Sequence, residues 1–365
     1  MAILKEAYDA LKSIVGSRNI SEDPTICECY RRGGYGKGRP ALEGKAVRPG
    51  AVILPGSTEE VQAIVKVCYR YSIPFIPVGT FMISFQAPKI SNALTMDLKR
   101  MDYFEIDEKN MYATVGPGII YAQLQAEAIR RGMLTSVPGC GAAATVIANS
   151  LNAGMGPLQY RYGWANHRTL AVEWVMPDGE LVRLGTAAMS DDYSWGEGLG
   201  PDLRGILRGL FGWQGGMGVV TKMATKLFPF PTEALSRIGV SPRTFFELAT
   251  ERIRWVNVFY DDPAKAVQAA HEVSNAEIGA SVMTAPFSWR YIARAESRED
   301  FWEQWTRDLP KLQKTTPHMM RVLIVGYQNE KQTDYEEQVI HDIVDKLGGE
   351  IRPSRNVDES WINNA

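Results

Sequence analysis

Cysteine, histidine and net charge are scarce in this chain of 365 residues, and each scarcity argues against one class of site. The four cysteines and four histidines are scattered, and only Cys27 and Cys29 stand close together. A structural zinc site needs four ligands at paired spacings and an iron–sulfur cluster needs more clustered cysteines, so we expect ordinary thiols and no metal. The net charge of −2 offers no basic surface for nucleic acid or an anionic membrane.

Long apolar runs and the common nucleotide and hydrolase motifs are also missing. No stretch reaches the roughly 18 apolar residues of a membrane span. Residues 1–17 lack the apolar core of a signal peptide, and we expect a cytoplasmic protein. No G-x-G-x-x-G joins a strand to a helix, and the P-loop, G-x-S-x-G and H-E-x-x-H patterns do not occur. A Rossmann dehydrogenase, a P-loop enzyme, an α/β hydrolase and a zincin therefore find no support.

The first part of the chain contains short strands and helices that are bounded by glycine or proline. Residues 48–56 read as a strand, and Ser57 with Glu60 forms a capping box at the start of a helix. Val61, Ile64, Val65 and Cys68 share one face of that helix. Further elements are predicted as strands at 73–78, 94–98, 112–115 and 219–227, helices at 120–131 and 203–210, and a hairpin around Asp178-Gly179.

The composition changes after Pro231, where glycine thins out and helices with charged faces alternate with strands. The pattern predicts strands at 236–241, 255–260, 281–285 and 319–327, and helices at 243–254, 263–273, 299–309 and 333–347. These elements suit an antiparallel sheet with helices on one face. A chain of this length exceeds one comfortable core, so we predict a domain boundary near residue 231.

Glycine-bearing turns at strand ends are the main indication of a ligand site. They lie at 76–84, 115–118, 138–156, 162–163 and 215–218. Backbone N–H groups in such turns can hold phosphate oxygens without a dedicated lysine, and several turns that converge would suit a dinucleotide with an extended pyrophosphate. Taken singly, each is also what an ordinary turn requires.

The amino-acid sequences of these segments resemble those of a known family of flavoproteins. GLGPDLRGILRGLFGWQGGMGVVTKMATKLFPFP at 198–231 resembles the end of the FAD-binding domain in the vanillyl-alcohol oxidase and 4-cresol methylhydroxylase type proteins. Earlier segments follow in that family's order: PGSTEEVQAIVKVCYRYSIPFIPVG, MDLKRM, TVGPGIIYAQL, NAGMG, RYG and VEWVMPDGELVRLG. The resemblance implies an α+β protein with an N-terminal arm at 1–44, a two-subdomain FAD-binding PCMH-type domain at 45–231, and an α+β cap at 232–365. We expect the cap to be incomplete relative to the family.

The resemblance also implies which residues bind FAD. The implied pyrophosphate loop is Pro77, Val78, Gly79, Thr80, Phe81, Met82, Ile83 and Ser84. The implied flavin segment holds Thr145, Asn149, Gly154 and Gly156, the turns hold Gly116, Gly118, Pro138, Gly139, Tyr162 and Gly163, and the adenine-side strand holds Gly218, Val219 and Val220. We expect a Cβ at residue 154 or 218 to enter the ligand path, so that bulk there lowers flavin occupancy and leaves folding largely intact.

Departures from the family keep the catalytic assignment open. Phe81 and Met82 carry bulk where the family has glycine, Ala143, Ala144 and Ala148 replace further glycines, and no acidic residue follows Pro138. His167 is the only histidine of the FAD region and the one weak catalytic candidate; a structural role is the alternative.

Two hypotheses about function follow. The first is an FAD-dependent oxidoreductase that takes a hydride from a phenolic or aryl-alkyl alcohol, or an alkylphenol, to flavin N5, with a 2-hydroxy acid as the alternative substrate. Its electron acceptor could be dioxygen, a cytochrome or another redox protein. The second is a catalytically incomplete subunit of the same fold, which forms an oligomer or needs a partner chain and shows negligible turnover alone.

Overall fold

The computed structural model describes residues 3–31, 47–81, 90–188, 216–231, 235–238, 245–248, 251–284, 291–292, 295–315 and 318–352. The predicted helix at 203–210 lies outside these residues, as do Met82, Ile83 and Ser84 of the predicted pyrophosphate loop. Within the described ranges, no helix is both long enough and apolar enough to cross a lipid bilayer.

The described chain contains helices and strands throughout its length. The helices are α1 (Lys5–Val15), α2 (Pro24–Cys29), α3 (Thr58–Arg70), α4 (Tyr121–Arg130), α5 (Val146–Leu151), α6 (Gln159–Tyr162), α7 (Pro263–Asn275), α8 (Arg298–Thr315) and α9 (Glu330–Leu347). The strands are β1 (Ile20–Ser21), β2 (Ala51–Ile53), β3 (Phe75–Val78), β4 (Leu94–Asp97), β5 (Phe104–Asp107), β6 (Tyr112–Val115), β7 (Met133–Leu134), β8 (Thr169–Val175), β9 (Leu181–Leu184), β10 (Val219–Lys226), β11 (Phe228–Pro229), β12 (Leu235–Ile238), β13 (Phe245–Leu248), β14 (Ile253–Tyr260), β15 (Ser281–Met283), β16 (His318–Val325) and β17 (Glu350–Arg352).

Contacts within the chain divide it into two compact units. Unit 1 comprises residues 1–156 and 163–228, and unit 2 comprises residues 157–162 and 229–365. The division at 228 falls close to the boundary predicted near residue 231. The sequence did not predict that residues 157–162 belong to unit 2.

The first sheet of unit 1 is built on the predicted strand–helix–strand segment. Strands β2, β4 and β3 run parallel, and β1 is antiparallel on the outer side of β2. The Ser57 hydroxyl accepts from the Glu60 N–H at 3.2 Å at the start of α3. The predicted apolar face of α3 is confirmed as buried, and it packs with Leu11 and other residues of α1 in one core. Part of the segment predicted as an N-terminal arm therefore contributes to the core of unit 1.

The second sheet of unit 1 is antiparallel, in the order β5-β6-β10-β8-β9. Its β8–β9 hairpin turns at Asp178-Gly179 as predicted, with Gly179 at φ 87°. Helices α4 and α5 bury Tyr121, Leu124 and Val146 in the core beside this sheet. Strand β5 was missed, although its alternation of Phe104 and Ile106 with acidic residues is typical of a half-buried strand.

A buried carboxylate joins the elements of unit 1. Glu173 on β8 is 3% exposed. Its Oε1 accepts from the Thr58 hydroxyl at 2.9 Å and the Thr221 hydroxyl at 3.1 Å, and its Oε2 accepts from Arg183 Nε at 3.3 Å. One side chain thus links α3, β8, β9 and β10, and its hydrogen bonds offset the cost of burying a charge.

Unit 2 contains an antiparallel sheet in the order β15-β16-β14-β17, with α7 and α9 on one face. Val256, Val258 and Tyr260 of β14 point into the core that these helices cover. The prediction of a helix at 243–254 is wrong. That range contains β13, which pairs antiparallel with β12, and the start of β14. The aromatic pair Phe245-Phe246 favours a strand, and this preference prevails over the helical spacing of the apolar residues.

The Glu173 contacts predict a large loss of stability when the carboxylate is removed. We expect Glu173→Ala to lower the free energy of unfolding of unit 1 by about 3 kcal/mol, because the buried Thr221 hydroxyl and the half-buried Thr58 hydroxyl lose their acceptor, at roughly 1–3 kcal/mol for a buried group. Glu180→Ala is the matched control, since Glu180 also ties the hairpin to α3, through an exposed ion pair with Lys66 at 3.2 Å. It should cost at most about 1 kcal/mol. Urea unfolding of the full chain measures both, and equal losses would contradict the assignment.

Candidate functional site

A cleft in unit 1 lies where β3 ends, beside the start of β10 and along α5. Its empty volume is about 570 Å³, which includes space open to solvent. The residues that line it are Pro77, Val78, Gly79, Leu98, Pro117, Thr145, Ile147, Ala148, Leu151, Asn152, Gly218, Val219 and Val220. None of these described lining residues is charged, so no carboxylate in the wall would repel an anionic ligand.

Three of the segments predicted to bind the cofactor meet at this cleft. Seven predicted residues line it: Pro77, Val78, Gly79, Thr145, Gly218, Val219 and Val220. Pro117, between the predicted Gly116 and Gly118, also lines it. A Cβ placed on Gly79 would lie 2.7 Å from Thr145 Oγ1, which shows how closely the β3 end approaches the start of α5.

Other predicted residues are not among those lining the cleft. They are Thr80, Phe81, Gly116, Gly118, Pro138, Gly139, Asn149, Gly154, Gly156, Tyr162 and Gly163. Phe81 follows Gly79 closely and has φ 57°, a left-handed conformation that costs energy for a side chain of this size. The chain therefore turns sharply as it leaves β3, and the roles predicted for these residues stay predictions.

Polar groups hold the strand ends that form one wall of the cleft. Asp97, the register partner of Val78, is 4% exposed and accepts from the Tyr30 hydroxyl at 2.6 Å. Lys99 Nζ lies 2.7 Å from the same Asp97 oxygen, and this hydrogen bond raises the pKa of Lys99. Burial, with the neighbouring carboxylate, raises the pKa of Tyr30. Both groups therefore keep their protons at neutral pH and continue to donate to Asp97.

A second polar network lies around α5. Asn149 Nδ2 donates to the Tyr121 hydroxyl at 3.1 Å, and Arg168 Nη1 donates to the Ser136 carbonyl at 3.1 Å. Arg168 is 3% exposed, and burial lowers the pKa of its guanidinium. Its Nε has no hydrogen-bond partner in the described part of the chain. Sequence reasoning missed this buried cation, because nothing in its neighbourhood along the chain marks it as buried.

The expectation that a Cβ at residue 154 or 218 would enter the ligand path and leave folding largely intact is wrong. A Cβ on Gly154 would lie 1.8 Å from Asn149 Oδ1, and a Cβ on Gly218 would lie 2.2 Å from the Val175 carbonyl oxygen. Gly218 also has φ 102°, which side chains rarely tolerate. Both glycines allow the protein to approach itself, so substitution there disturbs the fold directly instead of entering a ligand path.

Two residues that were predicted for the site, His167 and Tyr162, lie away from the cleft. His167 is exposed in the 3₁₀ helix Ala165–Arg168 and is not among the residues lining the cleft. Tyr162 is the last residue of α6 in unit 2, where its hydroxyl is hydrogen-bonded to that of Tyr327. Burial and this hydrogen bond raise the pKa of Tyr162, so the phenol stays protonated.

Sequence reasoning missed Leu98, Pro117 and four residues of or next to α5 in the cleft wall. The four are Ile147, Ala148, Leu151 and Asn152. Their spacing is that of one helical face continued from Thr145, so extending the flavin segment along the helix would have found them. Leu98 follows β4, and only the parallel pairing of β3 with β4 places it beside Val78.

The approach of Gly154 to Asn149 predicts a steric effect that is separate from ligand binding. Gly154→Ala should lower the free energy of unfolding of the flavin-free protein by about 1–3 kcal/mol, because the new methyl group displaces the Asn149 side chain. Gly139→Ala is the control, since its Cβ would meet only the Met155 carbonyl oxygen, at 3.7 Å. Its effect should stay within about 0.5 kcal/mol. A Gly154→Ala protein of unchanged stability would show that the contact is absent.

Comparison with known proteins agrees with this geometry. Residues 49–185 match a family model described as an FAD binding domain. The chain is 24% identical over 339 residues to the flavoprotein subunit of 4-cresol dehydrogenase [hydroxylating] from Pseudomonas putida, covering 90% of this chain and 62% of the relative. It is 30% identical over 204 residues to a D-lactate dehydrogenase from Anaerostipes hadrus, covering 54% of this chain and 40% of the relative.

Solved structures show the same fold over more of the chain. A crystal structure of p-cresol methylhydroxylase with substrate bound has a TM-score of 0.74 at 20% identity, covering 98% of this chain and 68% of that chain. The 4-ethylphenol oxidase from Gulosibacter chungangensis has a TM-score of 0.71 at 19% identity, covering 96% of this chain and 65% of that chain. The α+β fold and the FAD cofactor predicted from the sequence are therefore confirmed, residues 49–185 match an FAD binding domain, and the chain spans less than two thirds of the length of the curated relatives named here.

Proposed function

We propose that this chain forms the flavin-binding part of an oxidoreductase that takes a hydride from a phenolic or aryl-alkyl alcohol. The observation that carries the proposal is the cleft of unit 1, where the end of β3 and helix α5, both within the residues that match an FAD binding domain, meet the start of β10. When bound, FAD supplies a hydride acceptor at its N5 atom, and the protein supplies binding, orientation and exclusion of water.

The residues present suit such a cofactor. Glycine, alanine, proline and threonine make up much of the wall, so backbone atoms lie near the surface that a flat or extended ligand would contact. The described wall carries no charge, and the nearby Asp97 carboxylate is already neutralised by Lys99. A pyrophosphate would therefore meet backbone N–H groups without a repelling carboxylate beside it.

The residues of this chain would then contribute by contacting the ligand and by excluding water from it. Gly79 and Gly218 present bare backbone to the ligand, while Thr145 offers a hydroxyl beside the first of these. Ile147, Leu151 and Val220 line the cleft with apolar surface, which excludes water from the part of the ligand they cover. We also propose the other residues implied by the resemblance as cofactor contacts, within a domain at 45–231 followed by a cap.

The substrate class is proposed from the relatives. The 4-cresol dehydrogenase relative and the two solved structures above are named for phenolic compounds, which favours a phenolic or aryl-alkyl substrate. The D-lactate dehydrogenase relative supports a 2-hydroxy acid as the second candidate. Since the relative from P. putida is a flavoprotein subunit, we further propose that this chain works with a partner chain or as an oligomer.

Filling the cleft tests the placement of the cofactor. Ala148 lines the cleft, so Ala148→Phe should lower the affinity for FAD by roughly 5- to 150-fold, as expected where overpacking costs about 1–3 kcal/mol. Ala143→Phe is the control, because Ala143 is exposed and is not part of the lining. Titration of the flavin-free protein with FAD, followed by quenching of flavin fluorescence, gives both affinities. Equal FAD affinity in the two variants would mean that the cofactor binds elsewhere.

Anaerobic reduction of the bound flavin tests the substrate class. We expect bleaching of the visible flavin absorbance by at least one 4-hydroxybenzyl alcohol or 4-alkylphenol when the partner chain is present. Bleaching by D-lactate alone would favour the 2-hydroxy acid candidate. A protein that binds FAD and is bleached by neither class, with or without its partner, would contradict the proposed activity.

A further inference from the structure

Arg168 carries a buried positive charge in unit 1, at the end of the 3₁₀ helix Ala165–Arg168. The residue is 3% exposed. Among the residues that the structure describes, no carboxylate pairs with it, and its Nε has no hydrogen-bond partner. An arginine stays protonated in proteins, so burial does not remove this charge. A buried ion without an ionic partner costs free energy, and a protein seldom bears this cost without a use for the charge.

Neutral groups hold this guanidinium in place. Its Nη1 donates to the Ser136 carbonyl at 3.1 Å, and the Tyr121 side chain is its next polar neighbour. The same Tyr121 hydroxyl accepts from Asn149 Nδ2 on α5 at 3.1 Å. The Ala165 N–H donates to the Gly154 carbonyl at 3.0 Å, which ties the 3₁₀ helix to the turn that follows α5. The cation is therefore fixed beside α5 by groups that leave its charge uncancelled.

Helix α5 separates the charge from the cleft. With about 3.6 residues per turn, the cleft-lining residues at 145–152 share one face of the helix, and Val146, Asn149 and Ser150 share the opposite face. These three residues are buried, and Asn149 meets Tyr121 on that side. The guanidinium therefore lies behind α5. Since a helix with its side chains is about 10–12 Å thick, the charge stands on the order of 10 Å from a ligand in the cleft.

We propose that Arg168 attracts the anionic cofactor across α5 and thereby strengthens the binding of FAD in the cleft. The pyrophosphate of FAD is negatively charged, and the described wall of the cleft carries no charge of its own to meet it. The guanidinium contacts no ligand and acts through the helix as an electrostatic counterpart of the cofactor. This inference rests on the placement of FAD in the cleft, which is part of the proposed function.

Burial makes the charge effective at this distance. Two unit charges about 10 Å apart, at an effective dielectric constant of about 20, attract each other by an energy that corresponds to roughly tenfold in affinity. Salt screens buried charges much less than it screens exposed ones. An exposed arginine of the same unit, such as Arg130 with 74% of its side chain accessible, should therefore contribute little to the binding of an anion in the cleft.

Titration of the flavin-free full chain with FAD and with riboflavin, followed by flavin fluorescence, separates charge from packing. Riboflavin has the ring system and ribityl chain of FAD but no phosphate. We expect Arg168→Met to weaken the binding of FAD roughly 5- to 20-fold and to leave the affinity for riboflavin within about twofold, because only FAD carries the charge that the arginine attracts. Arg130→Met is the matched control and should leave both affinities within about twofold.

Two further variants separate binding from folding. Arg168→Lys keeps the charge and loses the planar guanidinium, so its affinity for FAD should stay within about threefold of the unsubstituted chain. Arg168→Gln is neutral but can still donate to the Ser136 carbonyl, and it should weaken FAD as Arg168→Met does. Thermal unfolding of the flavin-free Arg168→Met protein should change little, because removal of an unpaired buried charge offsets the lost hydrogen bond. The lysine and glutamine variants decide the matter if Arg168→Met does not fold.

The outcomes distinguish this inference from the proposed function. Equal weakening of FAD and riboflavin, or an affinity for FAD that is as low in Arg168→Lys as in Arg168→Gln, would assign the arginine a structural role and overturn the inference. If Ala148→Phe weakens FAD and the neutral arginine variants do not, the cleft remains the cofactor site and only the charge effect fails. FAD binding that depends on the charge of Arg168, in a protein whose flavin no phenolic or 2-hydroxy acid substrate bleaches, would support the inference and contradict the oxidoreductase.

Discussion

The carboxylate of Glu173 is the interaction on which the arrangement of unit 1 depends. It joins the first residue of α3, beside the parallel sheet, to strands β8, β9 and β10 of the antiparallel sheet. A buried charge of this kind is tolerated only with full hydrogen bonding, so its partners must stay in place together. The cleft inherits this constraint, because one wall follows β3 of the first sheet and another begins β10 of the second.

The cleft itself is formed by approach of backbone rather than by reactive side chains. Glycines at 154 and 218 let segments of the protein pass close to one another, and Gly79 lies against Thr145. The polar network of Tyr30, Asp97 and Lys99 holds the strand ends in the same region. A site of this kind suits a cofactor that brings its own chemistry and needs placement from the protein. It also explains why no constellation of nucleophile and base stands out in the sequence.

Unit 2 uses the two faces of its sheet in different ways. One face is an apolar core under α7 and α9, and alternate residues on β14 and β16 supply it. The other face carries arginines over aromatic rings, together with buried amide and hydroxyl groups. An apolar face stabilises the unit, whereas buried unpaired polar groups lower its stability unless a ligand meets them. One face therefore supplies the apolar core of the unit, and the other carries its buried polar groups.

The sequence by itself determined the elements whose burial follows a local period. The apolar face of α3, the Asp178-Gly179 hairpin, β10, α7 and α9 all follow from spacing and turn chemistry, and the resemblance of the ordered segments to a known family implied the FAD-binding domain. Only the tertiary structure decided what depends on residues far apart in the chain. Examples are the partners of Glu173, the burial of Arg168 and the pairing of Asn257 with Arg321. Periodicity records whether a residue is buried but not against what, because the distance between two buried side chains depends on how every intervening element packs.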